Sequence, residues 1–453
     1  MEGIDPKNSS GQTATSIADP LLSTNHAGTT HNHSIGSDPE EAALEKALIQ
    51  SLAPDEHDHA PPVNNRPELH ISLDQVDGAK TLDPKKIGRD TSLKDNLGRK
   101  GDILNGRGGD NVIIGSGDSD IIRAAGGGFN TITTGTGRDT VILGRETTNR
   151  IFDFDPTNDR LLLGGGLNPK NIVIAQGKNP GKGGLDQPLD ATSNTLVIDK
   201  KTGHILAALT FVKASDITEK NFARLTPEAN RSIQGKELGL KTQRGNGQLT
   251  GTNGRDRLIG GDGNDFLYVG DGGFKFNTAT GGGGTEFPFP TTSPGSSEMK
   301  VQLKGGVLQL DGTYKNFDGF PLFSQGEKTI DPNATILNGS NPQALVEGFL
   351  RVPKDVEGNP ISGTHVHFSP AGDSRGNFAD ATVVRFLENT PTDAKSGTLK
   401  GEFELTPAEQ AALLAGNFYI NIHTNLDGDG DGIAGYPTGE NRINLNRNVV
   451  SFT

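Results

Sequence analysis

Three histidines in the last third of the chain lie where imidazoles can converge. His365 and His367 are spaced i, i+2 in GTHVHF (363–368), so on a strand they share one face. His423 closes the run YINIH (419–423), which reads as a second strand. Three imidazoles suit Zn²⁺ or Cu²⁺ and leave a coordination position open for redox or hydrolytic chemistry. The alternative is a set of structural histidines hydrogen-bonded across neighbouring strands. A second group is acidic. Asp427, Asp429 and Asp431 lie in LDGDGDG (426–432), which follows D-x-D-x-D-G, the first half of an EF-hand loop. Thr438 stands where that loop needs its bidentate Glu, and Glu440 lies two residues beyond. Carboxylates this close repel unless a cation intervenes. The stretch is a Ca²⁺ loop outside the EF-hand fold or an acidic hairpin.

A third group is periodic. Nonapeptide frames LGRKGDILN (97–105), GRGGDNVII (106–114), GSGDSDIIR (115–123), AGGGFNTIT (125–133) and TGTGRDTVI (134–142) follow one another with one extra residue. Their sixth positions are Asp102, Asn111, Asp120, Asn130 and Asp139; their eighth are Leu104, Ile113, Ile122, Ile132 and Val141. GTNGRDRLI (251–259) and GGDGNDFLY (260–268) repeat the pattern with Asp256 and Asp265 at six and Leu258 and Leu267 at eight. Gly supplies the positive φ and close backbone approach of a tight turn, and each eighth residue points an aliphatic side chain inward from a short strand. The frames resemble the RTX (hemolysin-type) calcium-binding repeats of secreted bacterial proteins. The resemblance implies a parallel β-roll in which Asp carboxylates and turn carbonyls hold Ca²⁺ between stacked turns, and in which metal binding supplies folding energy.

Two nonapeptides make one coil, so alternate frames stack on one edge. Asp102, Asp120 and Asp139 then share an edge that binds Ca²⁺. Asn111 and Asn130 share the other, which binds weakly or stays empty, with Asp110 able to compensate in part. Asp256 and Asp265 fall on opposite edges. They lack same-edge Asp partners in their own block, so the first block or a neighbouring molecule would have to complete them.

Composition bounds the rest. The chain has 453 residues, 63 Gly, no Cys and a net charge of −13. The Gly excess without a G-X-Y period excludes collagen. The missing Cys excludes disulfide frameworks, thiolate metal sites and thiol catalysis. The acidity argues against bare nucleic acid as a partner. No apolar run reaches 18 residues, so no membrane span is expected, and no standard signal peptide is legible at the N-terminus. H-E-x-x-H, G-x-S-x-G and the P-loop pattern are absent.

Residues 1–95 read as a mostly disordered tail with one short helix over 38–53, either transient or a docking element. Six of the ten His lie there, at 26, 31, 33, 57, 59 and 70; they are a weak metal tract or part of a solvated tail. The roll at 97–143 is followed by a β-rich capping module (144–226), a linker (227–246), a second short roll (247–273), a Gly/Pro/Ser linker (274–298) and a β-rich block (299–453). In that block H-x-H, LTPAEQAALL (405–414), YINIHT (419–424) and a Gly439-Glu440-Asn441-Arg442 ending resemble the chordin-type (CHRD) domain, which implies an antiparallel β-sandwich found in extracellular proteins.

The expected fold is therefore mainly β. The expected function is that of a secreted or cell-surface structural or adhesive protein, with calcium as cofactor, matrix or surface components as partners and no enzyme activity. The alternative is a Cu/Zn metalloenzyme using His365, His367 and His423.

Overall fold

The computed structural model describes residues 66–145, 147–164, 166–179, 188–269, 273–286, 290–321, 363–368, 382–426, 439–445 and 450–451. The helix expected at 38–53, the five tail histidines before His70, and Asp427, Asp429 and Asp431 lie outside them.

The first strands among the described residues are β1 (Asp77–Thr81) and β2 (Gly88–Asp90). The nonapeptides form β3 (Ile103–Asn105), β4 (Val112–Ile114), β5 (Ile121–Ala124), β6 (Gly128–Thr133) and β7 (Thr140–Leu143). Next come β8 (Thr147–Ile151), β9 (Arg160–Leu163), β10 (Ile172–Gln176), β11 (Thr195–Asp199), β12 (His204–Leu209), β13 (Phe222–Leu225) and helix α1 (Pro227–Ser232). The second block supplies β14 (Lys241–Arg244), β15 (Gln248–Thr250), β16 (Asp256–Ile259) and β17 (Phe266–Tyr268).

These strands make a roll of two facing parallel sheets. One face runs β15-β17-β4-β6-β8, the other β14-β16-β3-β5-β7-β9-β13-β2. The frame phase explains it. All seven eighth-position aliphatics, from Leu104 to Leu267, are fully buried in a single cluster between the sheets. The second block is not a separate roll. β16 pairs in parallel with β3 (Leu258 beside Leu104) and β17 with β4 (Leu267 beside Ile113), so the chain returns and stacks onto the start of the first block. Gly135 shows why the turns need glycine: its φ is +96°, and a Cβ there would sit 1.8 Å from the Ser116 carbonyl oxygen.

Three segments differ from the sequence reading. Residues 66–95, assigned to the tail, are docked: Leu69, Ile71, Val76, Leu82 and Ile87 are buried, β1 adds to β10 and β2 adds to β13. Single apolar residues do this work, so no periodicity announces it. The 227–246 linker contains α1, whose Thr226 side chain accepts the Ala229 N–H at 3.2 Å. Ala229 and Ile233 bury against Ile103, Ile121 and Ile142 on the outer face of the roll. In the capping module β8 and β9 continue the roll, and the antiparallel strands β10-β11-β12 extend one sheet beyond β8.

The third segment is 274–298. It contributes β18 (Gly273–Phe276), β19 (Ala279–Gly282) and the start of β20 (Ser296–Lys304) to the C-terminal sheet. Gly281, Gly283 and Gly295 serve close approach there. A Cβ on Gly281 would lie 2.5 Å from the Arg442 carbonyl oxygen. The sheet continues with β21 (Val307–Lys315), β22 (Thr364–Phe368), β23 (Thr382–Phe386), β24 (Glu388–Asp393), β25 (Ser396–Glu404), helix α2 (Pro407–Leu414), β26 (Phe418–Ile422), β27 (Asn441–Leu445) and β28 (Val450–Ser451).

The antiparallel core expected here takes the form of one sheet, β23-β22-β26-β27-β19-β20-β21-β25-β24, with β18 and β28 at its side. Its two edge strands are joined through Leu387 alone, and the Leu387 N–H donates to the Thr364 carbonyl at 3.1 Å, so the sheet curls until it nearly closes. Ile114, Phe152, Phe211 and Tyr268 of the roll module join its apolar cluster. The Thr133 hydroxyl donates to the Ala411 carbonyl of α2 at 2.5 Å. Among the described residues, no helix is long and apolar enough to cross a membrane.

Because one apolar column joins both blocks, Ile122→Ala should cost about 2–5 kcal/mol. Amide hydrogen exchange should show protection falling in β16 together with β5. Loss confined to residues 103–143 would mean that the blocks unfold separately.

Candidate metal centres

At each turn of the roll the sixth residue of the frame directs its side chain into the stack. One edge is a column of carboxylates: Asp256, Asp102, Asp120, Asp139 and Asp159. Each Oδ1 accepts the backbone N–H of the preceding member. Asp102 accepts from Asp256 at 2.6 Å, Asp120 from Asp102 at 2.7 Å, Asp139 from Asp120 at 2.8 Å and Asp159 from Asp139 at 2.9 Å. In Asp256, Asp120 and Asp159, Oδ2 serves the member's own turn. That of Asp120 accepts the Ser116 N–H at 2.6 Å, and that of Asp256 accepts the Thr252 N–H at 2.7 Å.

Asp139 breaks this pattern. The corresponding N–H, that of Gly135, donates to Asp153 Oδ2 at 2.9 Å. Asp139 Oδ2 is buried with no hydrogen-bond partner among the described residues. Burial pushes the Asp102 carboxyl up to about 7, and the nearby Asp256 carboxylate adds to the shift. Burial also raises Asp120, with Asp102 facing it, and Asp139, with Asp120 and Asp159 facing it.

The other edge is built differently. Asn111 Oδ1 accepts the Asp265 N–H at 2.9 Å, and Asn130 Oδ1 accepts the Asn111 Nδ2–H at 2.9 Å. Asn149 Oδ1 accepts the Asn130 Nδ2–H at 3.0 Å, and Asn149 Nδ2 donates to the Leu206 carbonyl at 3.0 Å. A carboxamide both accepts and donates, so this column satisfies itself. Asp110 does not join it. Its carboxylate pairs with Arg66 at 2.9 Å and accepts the Phe129 N–H at 2.7 Å.

The second block thus extends both columns: Asp256 stands beside Asp102 and Asp265 beside Asn111. Asn149, Asp153 and Asp159 went unnoticed in the sequence. Asn149 and Asp159 each stand two residues before a buried aliphatic, Ile151 and Leu161, as in the frames, but at a spacing of ten residues instead of nine. The turn before Asp159 also lacks the glycines that make the other frames visible.

The histidines come together on the curled sheet. β22 pairs antiparallel with β26, His365 opposite Asn421 and His367 opposite Tyr419. The His423 N–H extends the ladder to the Gly363 carbonyl at 2.7 Å. Strand alternation then puts His365, His367, Tyr419, Asn421 and His423 on one face, with Val366, Phe368, Ile420 and Ile422 on the apolar face behind. One ring nitrogen from each of the three histidines lies within 4.8 Å of the other two, and all three are buried. His367 stacks on Tyr419 at 4.6 Å, and the Arg442 guanidinium lies 3.7 Å from the Tyr419 ring centroid on that face. Burial pushes the Tyr419 hydroxyl well above its ordinary value. Asn421 is fully buried, and neither of its amide atoms has a hydrogen-bond partner among the described residues.

With this geometry in view, residues 278–431 match the CHRD domain family, about a third of the chain. No curated protein matches the chain. No solved structure matches it either.

The carboxylate column gives a pH dependence of definite sign. The unfolded carboxyls ionise from about pH 4, whereas Asp102 holds its proton until about 7. The unfolded state therefore releases protons first, and stability conferred by the protonated Asp102, Asp120 and Asp139 is full below about pH 4 and lost as pH rises through 7. In EDTA, urea unfolding should show wild type losing stability relative to Asp120→Asn between pH 4 and 8. A difference independent of pH would contradict this origin.

Proposed function

We propose that this is a secreted or cell-surface calcium-binding structural protein, in which Ca²⁺ locks the roll and the locked roll carries the CHRD-like domain. One observation carries the reading: a column of five stacked, buried Asp with an unpartnered oxygen at Asp139. At neutral pH such a column needs either protons or a cation. The donors are carboxylate oxygens, the hard ligands Ca²⁺ prefers, and Asp120, Asp139 and Asp159 would hold it. Bound Ca²⁺ supplies the positive charge that lets the column ionise in the fold. The Asn column, satisfied by its own amides, has no such need, so the two edges differ in metal demand.

The resemblance of the frames to RTX repeats supports the same assignment. The CHRD match supports an extracellular setting. Extracellular modules bind Ca²⁺ at about 10⁻⁴–10⁻³ M, so such sites would fill outside a cell and stay empty within it. Ile114, Phe152, Phe211 and Tyr268 of the roll module share the apolar cluster of the curled sheet, so locking the roll would stabilise the domain it carries. A structural or adhesive role, not catalysis, fits this arrangement.

A Ca²⁺ titration at pH 7.5, followed by circular dichroism and thermal unfolding, should raise the midpoint. Asp139→Asn should weaken the response at least about tenfold, the scale of losing one charged ligand, while Asn130→Ala lowers stability without shifting the Ca²⁺ concentration required. No stabilisation up to about 10 mM, beyond the weak-site range, would overturn the proposal.

A further inference from the structure

We infer that the curled sheet holds one transition-metal ion of the Zn²⁺/Cu²⁺ class through His365, His367 and His423, with Asn421 beside the ligands. This is independent of calcium in the roll, because imidazole nitrogen suits borderline metals and not Ca²⁺. The inference rests on three features. The first is convergence: three imidazoles from two adjacent strands bring ring nitrogens within 4.8 Å of one another, a small adjustment from a metal's reach of about 2.0–2.1 Å to each. The second is burial without an apolar purpose. The face behind the histidines is the apolar one, packed with Val366, Phe368, Ile420 and Ile422, whereas the buried face they occupy collects Asn421, Tyr419 and Arg442 as well.

The third is Asn421. It lies opposite His365 in the register, is fully buried, and has both amide atoms unpartnered among the described residues. A buried carboxamide left in that state costs about 1–3 kcal/mol. A metal with three imidazole ligands keeps a fourth position for an exchangeable ligand such as water, and the Asn421 amide is placed to hydrogen-bond to it. Gly439 lies against this amide, where a Cβ would fall 1.8 Å from Asn421 Oδ1. Tyr419 and Arg442 brace His367 by stacking, which fixes the ring plane as outer partners of metal-bound histidines do.

The test uses the full chain, stripped with EDTA and dialysed against Zn²⁺ or Cu²⁺ in separate arms, with metal counted by elemental analysis. The H-x-H pairs of the tail offer imidazoles that would compete for metal, so a variant with His31, His33, His57 and His59 all changed to Ala is carried in parallel. Wild type and the tail variant should each retain one equivalent of the preferred metal through gel filtration. His423→Ala should retain none. Asn421→Ala should retain the metal with affinity reduced about 10–100-fold, the range for outer partners. The electron paramagnetic resonance spectrum of the wild-type Cu²⁺ form gives a readout that needs no folded variant. Hyperfine splitting from three nitrogens is expected, and a spectrum of oxygen ligands alone would overturn the assignment. Retention by His423→Ala equal to wild type, or loss in the tail variant alone, would overturn it as well.

Discussion

A side chain that accepts the backbone N–H of the coil before it is the interaction on which the rest of this molecule depends. Parallel coils stack by main-chain hydrogen bonds along their strands, but their turns leave N–H groups pointing into the stack. Asp or Asn at the sixth position of each frame satisfies them, coil after coil, from Asp256 to Asp159 on one edge and from Asp265 to Asn130 on the other, where Asn149 then accepts the Asn130 side-chain amide. The choice between the two residue types has opposite electrostatic results. A stack of amides is neutral and donates as well as accepts. A stack of carboxylates accepts only, and burial makes its charge expensive. The same geometry is therefore passive on one edge and hungry for positive charge on the other.

The strands between those turns are nearly apolar throughout, as in Ile121-Ile122 or Ile113-Ile114, and the structure explains why. The inner residues fill the space between the two sheets, while the outer ones are covered too. Ile103, Ile121 and Ile142 lie under α1, and Ile114 and Tyr268 lie against the curled sheet. A roll of few coils buries little surface by itself. Here neighbours on both faces enlarge its core, so the roll and the C-terminal sheet share their apolar surface.

Much of this was legible in the sequence, and the rest was hidden for physical reasons. Period nine with Asx at six and an aliphatic at eight gave the coil, its inward residues and the division of the edges. The H-x-H spacing and YINIH gave two strands with a shared imidazole face. What stayed hidden was carried by isolated contacts. The 66–95 segment docks through single residues such as Leu69 and Ile87, and glycine at 281 reads the same whether it loosens a chain or admits a neighbouring strand. Asp159 kept the two-residue offset to a buried aliphatic but lay off the nine-residue spacing and outside the glycines. Asn421 was visible only as a letter of the YINIHT motif, and its place beside the histidines emerged with its register opposite His365.

The return of the chain to the start of the roll sets an order of events. The Asp256 N–H meets Asp102, and Asp265 meets Asn111, across 154 residues of sequence. A loop of that length costs entropy before its contacts repay it, and such long-range pairing slows folding. A chain emerging from its N-terminus can wind the coils from Asp102 to Asp159, yet the exposed strand edges of β3 and β4 stay bare until residue 268 is available. The roll therefore acquires its leading end last, and any pause in emergence before that point presents an open edge to whatever strand is nearby.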